Sequence, residues 1–173
     1  RKYQSICLIL MIMIFSCLFT GCVNQHPKDS KKSSQGESVE TMLEITDPKE
    51  KQAVLNAKAK VKALSGNPRI VATSPAVADI CDKLDLDLVG VPKSSVSKIP
   101  SRYKKVKKVG LAMSPDMEIV SSLNPDWILA PSSLETDLKP KFEELKNTEY
   151  AFLNLRSVQG MYRSVQELGE IFG

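Results

Sequence analysis

The sequence predicts an α/β fold: an open, mainly parallel sheet flanked by helices, preceded by a signal peptide and a flexible tether. Three observations carry that prediction. Short apolar runs at Arg69 to Thr73, Leu88 to Val91, Trp127 to Ala130 and Tyr150 to Leu155 alternate with segments of helical spacing, the pattern of strands buried on both faces. Helix-start chemistry recurs between them, as Asp47-Pro48, Ser74-Pro75 and Ser114-Pro115-Asp116. The composition, 42% hydrophobic and 25% charged over 173 residues, leaves room for one domain core and excludes a disordered polymer or a multi-pass membrane protein.

Taken in order, Arg1 and Lys2 precede an apolar run from Ile6 to Phe19 that closes on Thr20, Gly21 and Cys22. A basic start, a short apolar stretch and small residues are the order of a bacterial secretory signal, assigned to residues 1–21. The Cys after the small pair resembles a lipobox, in which its thiol takes a lipid and becomes the new N-terminus. Phe19 departs from the usual aliphatic residue three positions before that Cys. Residues 22–46 form the expected lipidated tether, since Val23 to Ser38 is nearly devoid of apolar side chains and cannot offset its chain entropy by burial. The single histidine, His26, falls there, so no His-based catalytic site is expected. Cys7 and Cys17 belong to the signal and Cys22 to the anchor, which leaves Cys81 as a structural thiol on a helix face with Ala78 and Leu84.

Residues 47–66 read as a helical lead-in, capped by Asp47, carried by Val54, Ala57, Val61 and Leu64, and stopped by Gly66-Asn67-Pro68. It is expected on the outside of the domain. The folded lobe, residues 67–156, follows as strand, turn and helix in repetition. Ser74 and Pro75 open a helix to Leu84. Val106 to Val109 is a weak third strand, Ser114 to Glu118 open a helix to Leu123, and a further helix spans Asp137 to Leu145. Ser157 starts a last helix over 157–173. Arg1 in place of Met, and the helix in progress at Gly173, suggest a portion of a longer protein.

Charge is segregated along the chain. Lys93, Lys98, Arg102, Lys104, Lys105, Lys107 and Lys108 fall in sixteen residues without one acid, and the rest of the chain after the signal is left with 15 basic against 20 acidic residues. A solvated face explains such a run, and so does a rim that attracts an anionic ligand or an acidic partner. Nucleic acid is not expected as a partner of an exported chain.

Ligands of open parallel sheets gather beyond the carboxyl ends of the strands. Thr73, Ser74, Met113, Ser114, Ser132 and Ser133 are expected there, where helix starts offer unpaired N–H groups to anions. Glycine-rich phosphate loops, Cys pairs at metal spacing, a Gly-x-Ser-x-Gly motif and paired-acid turns are missing, so the expectation is a binding protein and no enzyme. An anchored enzyme or adhesion module with its site outside this chain is the alternative of a different class.

The stretches Arg69-Ile-Val-Ala-Thr-Ser, Leu84 to Pro92, Ile99-Pro-Ser-Arg-Tyr-Lys, Val109-Gly-Leu-Ala-Met-Ser-Pro-Asp-Met-Glu and Asn124-Pro-Asp-Trp-Ile-Leu resemble the N-terminal lobe of the helical-backbone substrate-binding lipoproteins of ABC importers. Within that superfamily, Pro-x-Arg-Tyr-Lys and Gly-x-x-Met-x-Pro are similar to the IsdE-type heme-binding lipoproteins. The resemblance covers about Arg69 to Gly173. It implies two lobes joined by a long helix beginning at Ser157, with heme in the cleft as transported ligand. It further implies Met113 as an axial iron ligand, a His from the second lobe as the other, and propionates at Thr73, Ser74, Ser94 and Ser95. A thioether is a soft neutral ligand suited to heme iron. Tyr103 and Trp127 are the aromatic candidates for lining the pocket, Trp127 lying inside a strand. The implied function is capture of heme at the extracytoplasmic face of the cell membrane and delivery to a permease and ATPase, with upstream heme-relay proteins as further partners. Glu143 and Glu144 are candidates for docking the permease. A ferric-siderophore or cobalamin receptor of the same superfamily is the alternative.

Overall fold

The computed structural model describes Ile45 and residues 47–173. The signal, nearly all of the tether and the lipidation candidate Cys22 lie outside the described residues. Five parallel strands form the main sheet: β1 (Ile70–Ala72), β2 (Leu88–Val91), β3 (Lys107–Lys108), β6 (Trp127–Pro131) and β7 (Glu149–Leu153), in the order β3-β2-β1-β6-β7. A separate antiparallel pair, β4 (Gly110–Leu111) and β5 (Ser114–Pro115), makes a small hairpin after β3. The helices are α1 (Pro48–Lys62), α2 (Pro75–Lys83), α3 (Met117–Ser122), α4 (Glu135–Glu143) and α5 (Val158–Phe172).

The strands divide their side chains between two cores, as period-two geometry demands. Ile70, Ala72, Trp127 and Leu129 face one way, onto Val77, Ala78 and Cys81 of α2 and Leu168 of α5. Val71, Ile128 and Ala130 face the other way, onto Val120 of α3 and Leu138 and Phe142 of α4. The result is the expected sheet covered on both faces. Gly90 in β2 has a physical reason: a Cβ there would sit 2.8 Å from the Val109 side chain and 2.9 Å from that of Leu123 at the end of α3, so any side chain would have to displace both. Cys81 is fully buried, and desolvation pushes its thiol up to about 12, which keeps it a neutral packing group.

Caps place the helices. Asp47 accepts from the Lys49 amide at 2.8 Å, Ser74 from Val77 at 3.2 Å, Asp116 from Ile119 at 3.1 Å and Ser157 from Gly160 at 3.0 Å. The expected helix start at Ser114-Pro115 is corrected by two residues, because those residues are strand β5 and Asp116 is the cap. The helix expected at Asp137 to Leu145 starts and ends two residues earlier and follows a short 3-10 turn at Ser132–Leu134. Helix α1 packs on α5 through Val54 and Ile171. It is tied down by Lys60 to Glu149 at 2.5 Å and Arg163 to Glu50 at 3.5 Å.

Candidate functional site

The carboxyl ends of the five strands define one face of the lobe, and three segments build its surface. At the end of β1, Thr73 continues the ladder: its amide donates to Leu129 O at 3.0 Å and its hydroxyl donates to the same oxygen at 3.3 Å. Thr73 is fully buried, with its amide and hydroxyl both spent on Leu129 O. Ser74 is also buried, at 5% exposure, and caps α2. Its oxygen accepts from Val77, which leaves the hydroxyl proton as a donor.

The second segment is the loop from Pro92 to Val106. Ser94 Oγ accepts from the Ser97 amide at 3.0 Å, which folds the loop on itself. Ser94, Ser95, Val96, Ser97, Lys98, Ile99, Lys104 and Lys108 line an open depression of roughly 640 Å³. The loop is braced from below. Arg102 bonds both Asp85 and Asp87, the latter at 2.9 Å, and the two carboxylates hold its guanidinium further above its ordinary range. The Tyr103 hydroxyl donates to Leu86 O at 2.5 Å. Tyr103 is buried, so it supports the loop and does not line a pocket, and desolvation raises its phenol well above the ordinary value.

The third segment is the hairpin. Gly110 turns the chain at φ 96°, and a Cβ there would lie 2.9 Å from the Asp116 amide, so this position needs glycine. Lys93 N donates to Gly110 O at 2.6 Å and Asp116 N to Val109 O at 2.7 Å. These bonds fasten the hairpin to the end of β2 and to the cap of α3. Ala112 and Met113 form its turn, and Met113 is 72% exposed. A large apolar side chain is therefore held out on a fixed turn, whose base is bonded to Lys93 at the start of the Ser94 loop. Met117, four residues on, is half-buried against the second core, as expected for a packing residue. Nothing in the sequence marked this hairpin: its turn is Ala-Met, without the Asn-Gly or Asp-Gly dipeptide that signals one.

Other expected positions fall elsewhere. Trp127 begins β6, at the opposite end of the sheet, and packs edge-on against Phe172 at 5.4 Å. It borders a cavity of about 440 Å³ under α1 with Glu50, Lys60, Glu149 and Glu167. Ser132 and Ser133 lie on the candidate face in the 3-10 turn after β6. Glu143 and Glu144 close α4 at the end of the lobe where strands begin, and Glu143 accepts from the Tyr150 hydroxyl at 3.1 Å. Among the described residues no group of three or more His, Cys, Asp or Glu side chains is clustered to hold a metal ion, and none of their helices is long and apolar enough to cross a membrane.

This architecture, a parallel sheet whose carboxyl-end face carries the polar turns and one presented methionine, is that of a ligand-binding lobe. Residues 70–173 match the periplasmic binding protein family, and the chain belongs to that family. It is 38% identical over 108 residues to the high-affinity heme uptake system protein IsdE of Staphylococcus aureus, covering 62% of this chain and 36% of that protein. Among solved structures it is similar to an ABC transporter substrate-binding protein of Listeria monocytogenes, with 46% identity and a TM-score of 0.59 over 62% of this chain and 41% of that one. Staphylococcus aureus IsdE complexed with heme is 37% identical with a TM-score of 0.57 at the same coverage. The petrobactin-binding protein YclQ of Bacillus subtilis is 26% identical with a TM-score of 0.54, over 61% of this chain and 39% of that one. The chain thus spans little more than a third of the curated relatives it matches. These relatives are named as a heme uptake system protein, an ABC transporter substrate-binding protein and a petrobactin-binding protein.

Proposed function

We propose that this chain is the first lobe of a substrate-binding lipoprotein that captures heme at the extracytoplasmic face of the cell membrane, anchored there by a lipid on Cys22, and hands it to an ABC permease and ATPase. The observation that carries the reading is Met113, held 72% exposed on a hairpin whose base is pinned to β2 and α3. Burial is the ordinary fate of methionine, and a thioether fixed on a ligand face suits an iron porphyrin. Similarity to a heme-complexed relative supports the same choice. In this reading Met113 is an axial ligand of the transported heme. The propionates meet Ser74, Ser94 and Ser95, whose hydroxyls lie at the ends of β1 and β2, and Thr73 stands behind Ser74 as part of the ladder. An upstream relay protein supplies the heme.

The second reading, a ferric-siderophore receptor, is favoured by the similarity to the petrobactin-binding protein. Parallel titrations with hemin and with ferric petrobactin separate the two. The heme reading expects saturable hemin binding with a shifted Soret band and no competition by the siderophore. Binding of ferric petrobactin without binding of hemin would overturn it.

A further inference from the structure

The seven basic residues between Lys93 and Lys108 do not share one role. Arg102 is consumed by Asp85 and Asp87 as a brace. The six lysines are different: among the described residues no carboxylate lies within ion-pair distance of Lys93, Lys98, Lys104, Lys105, Lys107 or Lys108. Five of them are exposed, and Lys108 is half-buried with its ammonium on Tyr103 O at 3.4 Å. They run from the rim of the candidate face down β3, the edge strand farthest in sheet order from β7. Lys98, Lys104 and Lys108 border the depression of roughly 640 Å³, with Val96 standing 96% exposed beside them.

We propose that this loop and the β3 edge form a docking surface for an acidic protein, one that approaches the rim of the ligand face beside Met113. Charge complementarity selects the occupant. Six uncompensated ammonium groups on one edge attract an opposite field and repel basic surfaces. The depression itself is concave and Val96 is its one strongly exposed large apolar side chain, with Leu111 and Met113 exposed on the neighbouring hairpin; a concave basic seat fits a protruding acidic element better than a flat bilayer. Tyr103, the only aromatic in the loop, is buried, so no ring is offered for base stacking. The braces from Arg102, Tyr103, Ser94 and Gly110 form the loop before any partner arrives, which lowers the ordering cost of association. The inference goes beyond the ligand reading and does not depend on which iron ligand is carried.

The test is titration of labelled poly-L-glutamate into the full chain at low and moderate salt, beside phosphatidylglycerol vesicles and a DNA duplex. The triple reversal Lys98→Glu/Lys104→Glu/Lys105→Glu is compared with the equal reversal Lys49→Glu/Lys51→Glu/Lys139→Glu elsewhere on the surface, both checked for unchanged thermal melts. The expected result is salt-sensitive polyglutamate binding, weakened about tenfold or more by the loop reversal and less than about twofold by the control. Equal weakening by both reversals, or tighter binding of vesicles or duplex than of polyglutamate, overturns the proposal. Hemin titration of the same proteins is a separate readout: its failure removes the heme reading and leaves the docking result standing.

Discussion

Met113 and Gly110 are three residues apart and have opposite energetic roles. Met113 is largely in water, so its replacement by Ala changes folding free energy by no more than about 0.5 kcal/mol in urea denaturation. Gly110 holds φ 96° against the Asp116 amide, and Gly110→Ala costs about 1–3 kcal/mol in the same assay. It also moves the turn that presents Met113, so hemin affinity falls with it under the heme reading. Single residues were unevenly legible in the sequence. The caps Asp47, Ser74 and Ser157 were readable because Ser or Asp before an apolar periodic run has a local mechanism. Thr73 was not, because whether a strand-end hydroxyl faces a ligand or the next strand's carbonyl is decided by tertiary packing on Leu129.

At the scale of elements, the β2 to β3 loop is ordered by bonds to the segment before β2. Arg102→Ala removes the bonds to Asp85 and Asp87 and raises amide hydrogen exchange across residues 93–106 while leaving α2 and β6 protected. Unchanged exchange in the loop would mean that the bonds of Tyr103, Ser94 and Gly110 hold it without Arg102. The α1–α5 pair responds to pH. Burial, then the hydrogen bond and charge of Glu50, push Glu167 up to about 7, with Glu170 adding to the rise and Arg163 opposing it. Lys60 and Glu149 face the same cavity as a pair. Because the folded carboxyl holds its proton at higher pH than the unfolded one, the stability it contributes is complete below about pH 4.5 and is lost as pH rises through about 7. Glu167→Gln is expected to flatten the pH dependence of α1 amide protection between pH 5 and 8 at about its acid level. The long elements were legible from apolar spacing and caps. The β4–β5 hairpin was not, since two-residue strands joined by Ala112-Met113 have neither periodicity nor turn chemistry.

For the whole molecule, alternation of strands and helices was enough to read an open sheet covered on both faces, because a strand buried twice must be apolar throughout and each connecting helix shows one apolar stripe. The placement of α1 was only partly readable. Its apolar positions specify a helix that leans on something, and the partner proves to be α5, at the far end of the chain. The same topology sends the carboxyl ends of β1, β2, β3 and β6 to one face. It thereby sets Ser74, Ser94, Ser95 and Met113, which lie up to 39 residues apart, after strand ends on the same side of the sheet and leaves Trp127 at the other end. Under the proposed function, which ligand that face takes is a matter of chemistry and not of fold, since relatives of this architecture are described with heme and with petrobactin.

The most direct test of the central claim is a hemin titration followed by the Soret spectrum for the unaltered protein, Met113→Ala and Met117→Ala. Met117 is the control, because it packs in the second core and its truncation costs about 1–2 kcal/mol of stability without touching the ligand face. The account expects hemin binding in all three, with the spectrum and affinity altered only by Met113→Ala. A Met113→Ala spectrum identical to that of the unaltered protein would contradict it, and would return Met113 to the status of an exposed turn residue.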